Sequence, residues 1–518
     1  MKHQTTFYYL LPTALFLIQY CFFHGGYFGY DEMWYSKIAA SVVNGEFTHF
    51  HLYCFRYAMI LPLALIYKIV GINDFSNFLF NIIQHWVVIY IILQFLQSYT
   101  ARTKWLAILY YTCLPIITLY IEKPMPDIVV MTGFSMMVYG YYQVRFLDNV
   151  NSKTSILWFV IGAIFAFWAK ETFLIFYPIF LFLAGYDTFY QKSRIYFWKW
   201  TSLILTAFLA FYFLGNYLWF GDALKRVHTI SAFSYVHDCS YDHQPLSVLF
   251  KRVYYELWFA FIRNAILLPV IFLPLLWKKS IPSAFLFLYA SWLVSMLLAN
   301  FMTISYSSYV PLCPDPRHFM FAFPIGACVF AIGIEFVRKN IYLLLFSIAA
   351  SVMMLYISIV NQYEITWFLF IPLIAGLILM YLDKPNEAVV VICLGIMSMY
   401  ITHAMYNDKT NYKDQKKLPQ YILENAKEKS LVVTDAANVN ISNFIGKFDT
   451  TMVNFVDYAA FDTISKSGYQ KKYLIMNGMT MYLANQEWDK LPEFAKTAHE
   501  KLPKVYENKS GAVYLLDQ

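Results

Sequence analysis

Long apolar runs separated by short polar turns fill the chain from residue 7 to about residue 405, and beyond that point the pattern breaks into short mixed segments. A hydrocarbon core takes roughly 17 to 25 helical residues to cross. Apolar segments near 7–23, 78–98, 105–121, 127–146, 155–169, 171–188, 198–220, 256–276, 281–302, 318–337, 340–360, 365–382 and 387–405 therefore predict thirteen membrane spans. The run at 57–70 is too short for a comfortable crossing, and it is expected to lie at or just within the outer interface. No small-residue cleavage site follows the first run, which reads as a retained helix.

After residue 405 the periodicity changes. The runs "LVVTD" (431–435), "TTMVNFVD" (450–457) and "KYLIMNG" (472–478) are strand-like, "PEFAKTAHEKL" (492–502) is helical, and "KVYENKSGAVYLL" reads as a terminal hairpin. The expected architecture is an α-helical polytopic membrane protein, with a transmembrane domain at 1–405 and a small α/β domain at 406–518. That domain has no Gly-rich phosphate loop and no metal-ligand spacing, so a stabilising or acceptor-positioning role is expected of it.

The chain is 59% hydrophobic and 14% charged, with a formal net charge of +7. In a membrane protein basic residues mostly flank the cytoplasmic helix ends. Thirteen spans with a cytosolic start at Lys2 and His3 place Arg102, Lys104, Arg145, Lys153, Lys192, Arg194, Lys199, Lys278, Lys279, Arg338, Lys339 and Lys384 all in the cytosol. Counting 57–70 as a crossing would reverse every later loop. The positive charge is thus assigned to topology, the 44 Tyr and 48 Phe to interfacial belts and lipid-facing surface, and neither to nucleic acid. The outer face receives residues 24–77, 122–127, 169–171, the long loop 221–255, residues 305–318 and the C-terminal domain.

The candidate chemistry collects on that face. "GYDEMWY" puts Asp31 and Glu32 directly after the first helix, although acidic residues also suit any helix start. "CFRYAMILPLALIYKIVG" opens on Arg56, which could equally be a snorkelling anchor. "YIEKPMPDIVV" carries Glu122, Lys123 and Asp127, "FWAKETF" carries Lys170 and Glu171, and "PDPRHFMFAFPIGA" carries Arg317 and His318. Ionisable groups in so apolar a setting are expensive and point to function.

Together, and in this order and sidedness, these motifs resemble the GT-C superfamily of membrane glycosyltransferases, in particular its family 39, protein O-mannosyltransferase-like and aminoarabinose-transferase-like branch. The resemblance covers roughly residues 1–340. It implies an inverting hexosyl or pentosyl transfer from a polyprenyl-phosphate-sugar to a protein, lipid or glycan acceptor on the outer face, with Asp31 as the general base. The stretch "THFHLYCFRY" departs from the family's basic-aromatic segment, so substrate detail does not carry over.

A carboxylate can take the acceptor's proton, and arginine or lysine can stabilise the departing phosphate. Arg317, Lys170 and Arg56 are the expected phosphate-binding residues, with Glu32, Glu122, Asp127, Glu171 and His318 in supporting or substrate-binding roles. No cofactor is required; a divalent cation, if used, would fall to carboxylates such as Asp31 and Asp127. His49 and His51 have a spacing that could serve zinc, but two histidines are too few. Cys239 and Cys313 lie in the two loops expected over the site and are the expected disulfide pair. The rival readings are a lipid-linked glycan flippase or transporter, which would want charges near mid-span and matched broken helices, and an outer-face glycan polymerase or ligase. No internal repeat supports the first. The Lys-, Asn- and Ile-rich, aromatic composition fits a bacterial inner membrane, with the site and the C-terminal domain periplasmic.

Overall fold

The computed structural model describes residues 2–49, 51–147, 152–190, 194–232, 241, 244–278, 280–303, 309–338, 340–461, 463–464, 468–483 and 491–516. Eight of the described helices are long and apolar enough to cross a membrane, or nine if one bent pair counts as a single span. The chain is thus an integral membrane protein built as a helical bundle. Shorter apolar helices at Thr6–Phe22, Tyr57–Val70 and Lys153–Ala169 join them.

Two of the thirteen expected spans are not continuous. The 105–121 segment divides into helices Ala101–Cys113 and Pro115–Tyr120, because Pro115 has no N–H to continue the ladder. The 256–276 segment bends by 115° between Leu246–Arg263 and Leu268–Trp277. At that bend Ala265 adopts a φ of 58°, a left-handed conformation that ends the first helix.

The short helix Tyr57–Val70 packs on Asp31–Asn44 and leaves Leu61, Leu65 and Ile69 exposed at a four-residue spacing. Fourteen residues rise only about 21 Å, less than the hydrocarbon thickness. A helix too short to cross, with one apolar stripe turned outward, suits an interfacial position.

Helices Pro126–Phe146 and Ser152–Ala169 form the tightest hairpin in the bundle. Their glycines allow it: a Cβ at Gly133 would lie 2.7 Å from the Gly162 carbonyl oxygen, and one at Gly140 2.6 Å from that of Ser155. The antiparallel hairpin therefore brings Asp127, at the start of its first helix, beside Lys170, just past the end of its second. The opposite end collects basic loops, where Arg145 and Arg194 share Asp187, Arg338 meets Asp383, and Arg102 donates to Asn386 at 2.7 Å.

Helix Pro385–Asp408 runs on past residue 405, and the chain turns at Asn411 into helix Tyr412–Asn425. A five-stranded sheet follows: β1 Ser430–Thr434, β2 Val453–Asp457, β3 Lys471–Asn477, β4 Lys504–Asn508 and β5 Gly511–Leu515. Its order is β2-β1-β3-β5-β4, with β1 parallel to β2 and β3 and the β4-β5 hairpin antiparallel at one side. Every strand coincides with a run singled out in the sequence.

The C-terminal domain is docked on residues 24–30, the loop that leads into Asp31. Asp435 caps helix Ala436–Ile445, accepting from Asn438 N at 2.9 Å. That helix lies against Gly29, where a Cβ would approach the Ala437 carbonyl oxygen to 2.4 Å and where φ is +81°. Asn440 Nδ2 donates to the Gly29 carbonyl at 2.8 Å. Asp74 ties the rest, accepting from Tyr27 at 3.2 Å, Tyr412 at 3.1 Å and Lys416 at 2.6 Å.

Candidate active site

Three charged clusters and one loop anchor gather at the end of the bundle that carries the C-terminal domain. In the first, Asp31 opens helix Asp31–Asn44, and its Oδ1 accepts from the Tyr53 hydroxyl at 2.8 Å. Its Oδ2 stands 3.5 Å from Arg317, whose Nε lies 3.1 Å from Asp315. The Asp31 side chain is 34% exposed, so a substrate hydroxyl can reach the carboxylate. Arg317 sits in the 3-10 turn Pro316–Ala322, held because Asp315 accepts from Arg317 N at 3.0 Å.

The second cluster is buried. Asp127 accepts from Lys170 Nζ at 2.8 Å, and His318 Nδ1 lies 3.1 Å from Asp127 and 3.0 Å from Lys170. Lys170, expected to bind phosphate, therefore already has a carboxylate partner. Burial pushes its amine below the ordinary lysine range, and Asp127 opposes that shift.

The third cluster contains a residue the sequence did not single out. Glu171 pairs with Arg56 at 3.1 Å and with Arg226 at 3.3 Å, all three nearly buried. Arg226, in helix Lys225–Ala232, also donates to the Phe167 carbonyl at 2.7 Å and stacks over the Phe167 ring. Among the described residues the two guanidinium groups share one carboxylate, so the group carries a net positive charge. Phe167 belongs to an apolar cavity of about 150 Å³ between helices Ser152–Ala169, Tyr177–Phe189 and Ile195–Phe220. The Arg56 guanidinium lies 4.6 Å from the Tyr53 ring centre and also donates to the Tyr35 hydroxyl. Tyr53 thus touches both Asp31 and Arg56.

Glu32 and Glu122 serve the loop. Glu32 is buried, and its Oε1 accepts from Phe28 N at 2.5 Å and Gly29 N at 2.8 Å. Burial raises its carboxyl above the usual range, against the pull of those hydrogen bonds and of Lys123. Glu122 pairs with His24 and accepts from Gly25 N at 3.0 Å.

His49 approaches the Tyr57 hydroxyl at 2.9 Å, and His51 stacks on Trp34. No group of three His, Cys, Asp or Glu able to hold a metal ion occurs among the described residues. Cys313 is disulfide-bonded, whereas Cys21, Cys113, Cys328 and Cys393 are free thiols. Cys239, its expected partner, lies outside the described residues.

Tyr53 and Arg226 escaped the sequence reading for different reasons. Tyr53 is one of 44 tyrosines. Arg226 stands in the long loop with no motif around it, although its nearness to the apolar end of the 198–220 run was a usable signal.

No family model matches the chain, and no curated protein matches it significantly. Two solved structures share its fold. Both are of ArnT from Cupriavidus metallidurans: one bound to undecaprenyl phosphate (11% identity, TM-score 0.59) and one in the apo state (13% identity, TM-score 0.60). Each comparison covers 99% of this chain and 98% of the other, so bundle and C-terminal domain are matched as one architecture. The chain thus has the fold of these two structures, a helical membrane bundle with a small C-terminal α/β domain, the architecture expected from the sequence.

Proposed function

We propose that this protein is an inverting glycosyltransferase that moves a sugar from a polyprenyl-phosphate carrier to an acceptor hydroxyl. The observation that carries this reading is the arrangement around Tyr53, which touches both an accessible carboxylate, Asp31, and Arg56 of the Arg56–Glu171–Arg226 group. That group adjoins an apolar cavity at Phe167. A phosphate needs the net positive charge, and an isoprenoid chain needs the apolar cavity. The undecaprenyl phosphate bound by ArnT supports the same class of carrier here.

In this reading Asp31 takes the proton from the acceptor hydroxyl as its oxygen attacks C1 of the sugar from the face opposite the phosphate. The C1–O bond breaks with its electrons going to the phosphate, and the product is inverted. Arg56 and Arg226 meet the charge that develops on the leaving polyprenyl phosphate. Arg317 orients Asp31, while Lys170, Asp127 and His318 form a buried polar cluster that can hold sugar hydroxyls. The grouping of basic loops at the opposite end supports a cytosolic N-terminus in a bacterial inner membrane, with the site and the C-terminal domain periplasmic.

The experiment is transfer of radiolabelled sugar from undecaprenyl-phosphate-linked donors by the purified protein in liposomes. Labelled product that disappears with Asp31→Asn, while that variant still binds undecaprenyl phosphate, is expected. Undiminished transfer by Asp31→Asn contradicts the proposal.

A further inference from the structure

A groove of about 340 Å³ runs along the outside of the bundle where helices Lys2–Phe22 and Pro385–Asp408 meet Ala101–Cys113. Its walls are apolar, with Leu11, Trp105 and Leu109 facing Val389 and Met397. From Val389 to Met397 the helix rises about 12 Å, close to the hydrocarbon depth of one leaflet, half of about 30 Å. Beyond Met397 the helices come together: Cys113 Sγ lies 3.9 Å from Met397 Sδ, and Tyr400 donates to the Leu15 carbonyl at 2.7 Å. The other end is bridged by a cation. Arg102, one turn before Trp105, donates to Asn386 Oδ1 at 2.7 Å, and Asn386 stands one turn before Val389 and Val390. A guanidinium carries five N–H donors, and among the described residues Arg102 has no carboxylate partner. The acids at this end are engaged or offset: Glu335 accepts from Thr103 at 2.9 Å, Asp383 pairs with Arg338, and Glu387 follows Lys384 by one helical turn. Trp105 packs on Tyr8 with ring centres 4.6 Å apart, an aromatic pair suited to headgroup depth.

We infer that this groove holds one anionic phospholipid of the bilayer, with its phosphate on Arg102 and one acyl chain between the three helices. The site lies at the end of the bundle opposite Asp31 and does not depend on the transferase reading. An apolar groove along membrane-spanning helices is filled by hydrocarbon, and its length matches a chain entering from one leaflet. Val390 and Leu394 are more than half exposed, so a neighbouring lipid reaches the groove sideways from the bilayer. Arg102 then selects the headgroup: the donors that Asn386 leaves open take a phosphate oxygen, and the cation favours a lipid with net negative charge over a zwitterionic one. Seated there, the lipid joins the first helix to Pro385–Asp408, the helix that leads into the C-terminal domain.

The test is native mass spectrometry of the full-length protein released from nanodiscs of equal phosphatidylglycerol and phosphatidylcholine. The site predicts that the last lipid retained as collision energy rises is a single phosphatidylglycerol. Arg102→Gln is expected to lower its retention about fivefold or more, and Arg102→Lys to keep most of it. Val390→Trp, at a lipid-facing position, fills the groove and is expected to lower retention of the same lipid with Arg102 intact. In phosphatidylcholine alone the unfolding temperatures of wild type, Arg102→Gln and Val390→Trp are expected to agree, and added phosphatidylglycerol to raise that of the wild type only. Equal retention of the two phospholipids, or wild-type retention of phosphatidylglycerol by either Arg102→Gln or Val390→Trp, overturns the inference. Displacement of the bound phosphatidylglycerol by one equivalent of undecaprenyl phosphate also overturns it, since the groove would then belong to the carrier.

Discussion

The Tyr53 hydroxyl donates a 2.8 Å hydrogen bond to Asp31 Oδ1, joining the interfacial turn before Tyr57–Val70 to the first residue of the helix at the membrane exit. This contact fixes the orientation of the accessible carboxylate proposed as the base. Tyr53→Phe keeps the ring under Arg56 and removes only the hydroxyl. A hydrogen bond to a charged group contributes about 1.5–3 kcal/mol, so kcat is expected to fall about tenfold or more. The KM for the lipid donor stays near its wild-type value. Steady-state kinetics of the variant check this split.

The adjacent acids Asp31 and Glu32 are expected to separate cleanly. Asp31→Asn abolishes transfer, whereas Glu32→Gln retains an oxygen that can accept from Phe28 N and Gly29 N and retains most activity. Because burial raises the Glu32 carboxyl, the folded protein holds that proton more firmly than the unfolded chain. Folding stability from this group is therefore fully present below the ordinary glutamate range, about pH 4.3, and is lost as pH rises through the raised value. Unfolding temperatures against pH should show the wild type losing stability across that window relative to Glu32→Gln.

Arg226 is expected to govern donor binding. Arg226→Ala leaves Glu171 paired with Arg56 alone, cancelling the surplus charge, and is expected to weaken undecaprenyl phosphate binding about tenfold or more. Arg226→Lys restores part of the affinity but not the two-pronged contact. Native mass spectrometry of the lipid complex reads both.

The C-terminal domain is expected to act on the reaction through residues 24–30. Asn440→Ala removes the 2.8 Å donor to the Gly29 carbonyl, loosening the loop two residues before Asp31. A several-fold loss of kcat with unchanged donor affinity is expected from misplacement of the base, checked by kinetics alongside lipid binding.

The long apolar segments and the strand runs were legible in the sequence because periodicity is local. The clustering of Asp31, Asp127, Lys170 and Arg317 at one end follows from short turns between long helices, so it could be read from the segment boundaries. Pairing was not legible. Whether Lys170 meets phosphate or Asp127 depends on how closely the Gly133 and Gly162 crossing brings two helices together, and no spacing within either helix encodes that distance. The junction of Arg56 with Arg226 across 170 residues, and the hold of Asn440 on Gly29, are likewise long-range packing outcomes.

The most direct measurement of the central claim is a density map of the protein in nanodiscs with undecaprenyl phosphate. The account predicts the phosphate within hydrogen-bonding distance of Arg56 and Arg226, its first isoprene units leading toward Phe167, and Asp31 left open across Tyr53. A phosphate bound away from both arginines, or at the far end of the bundle among Arg102 and Arg338, would contradict it.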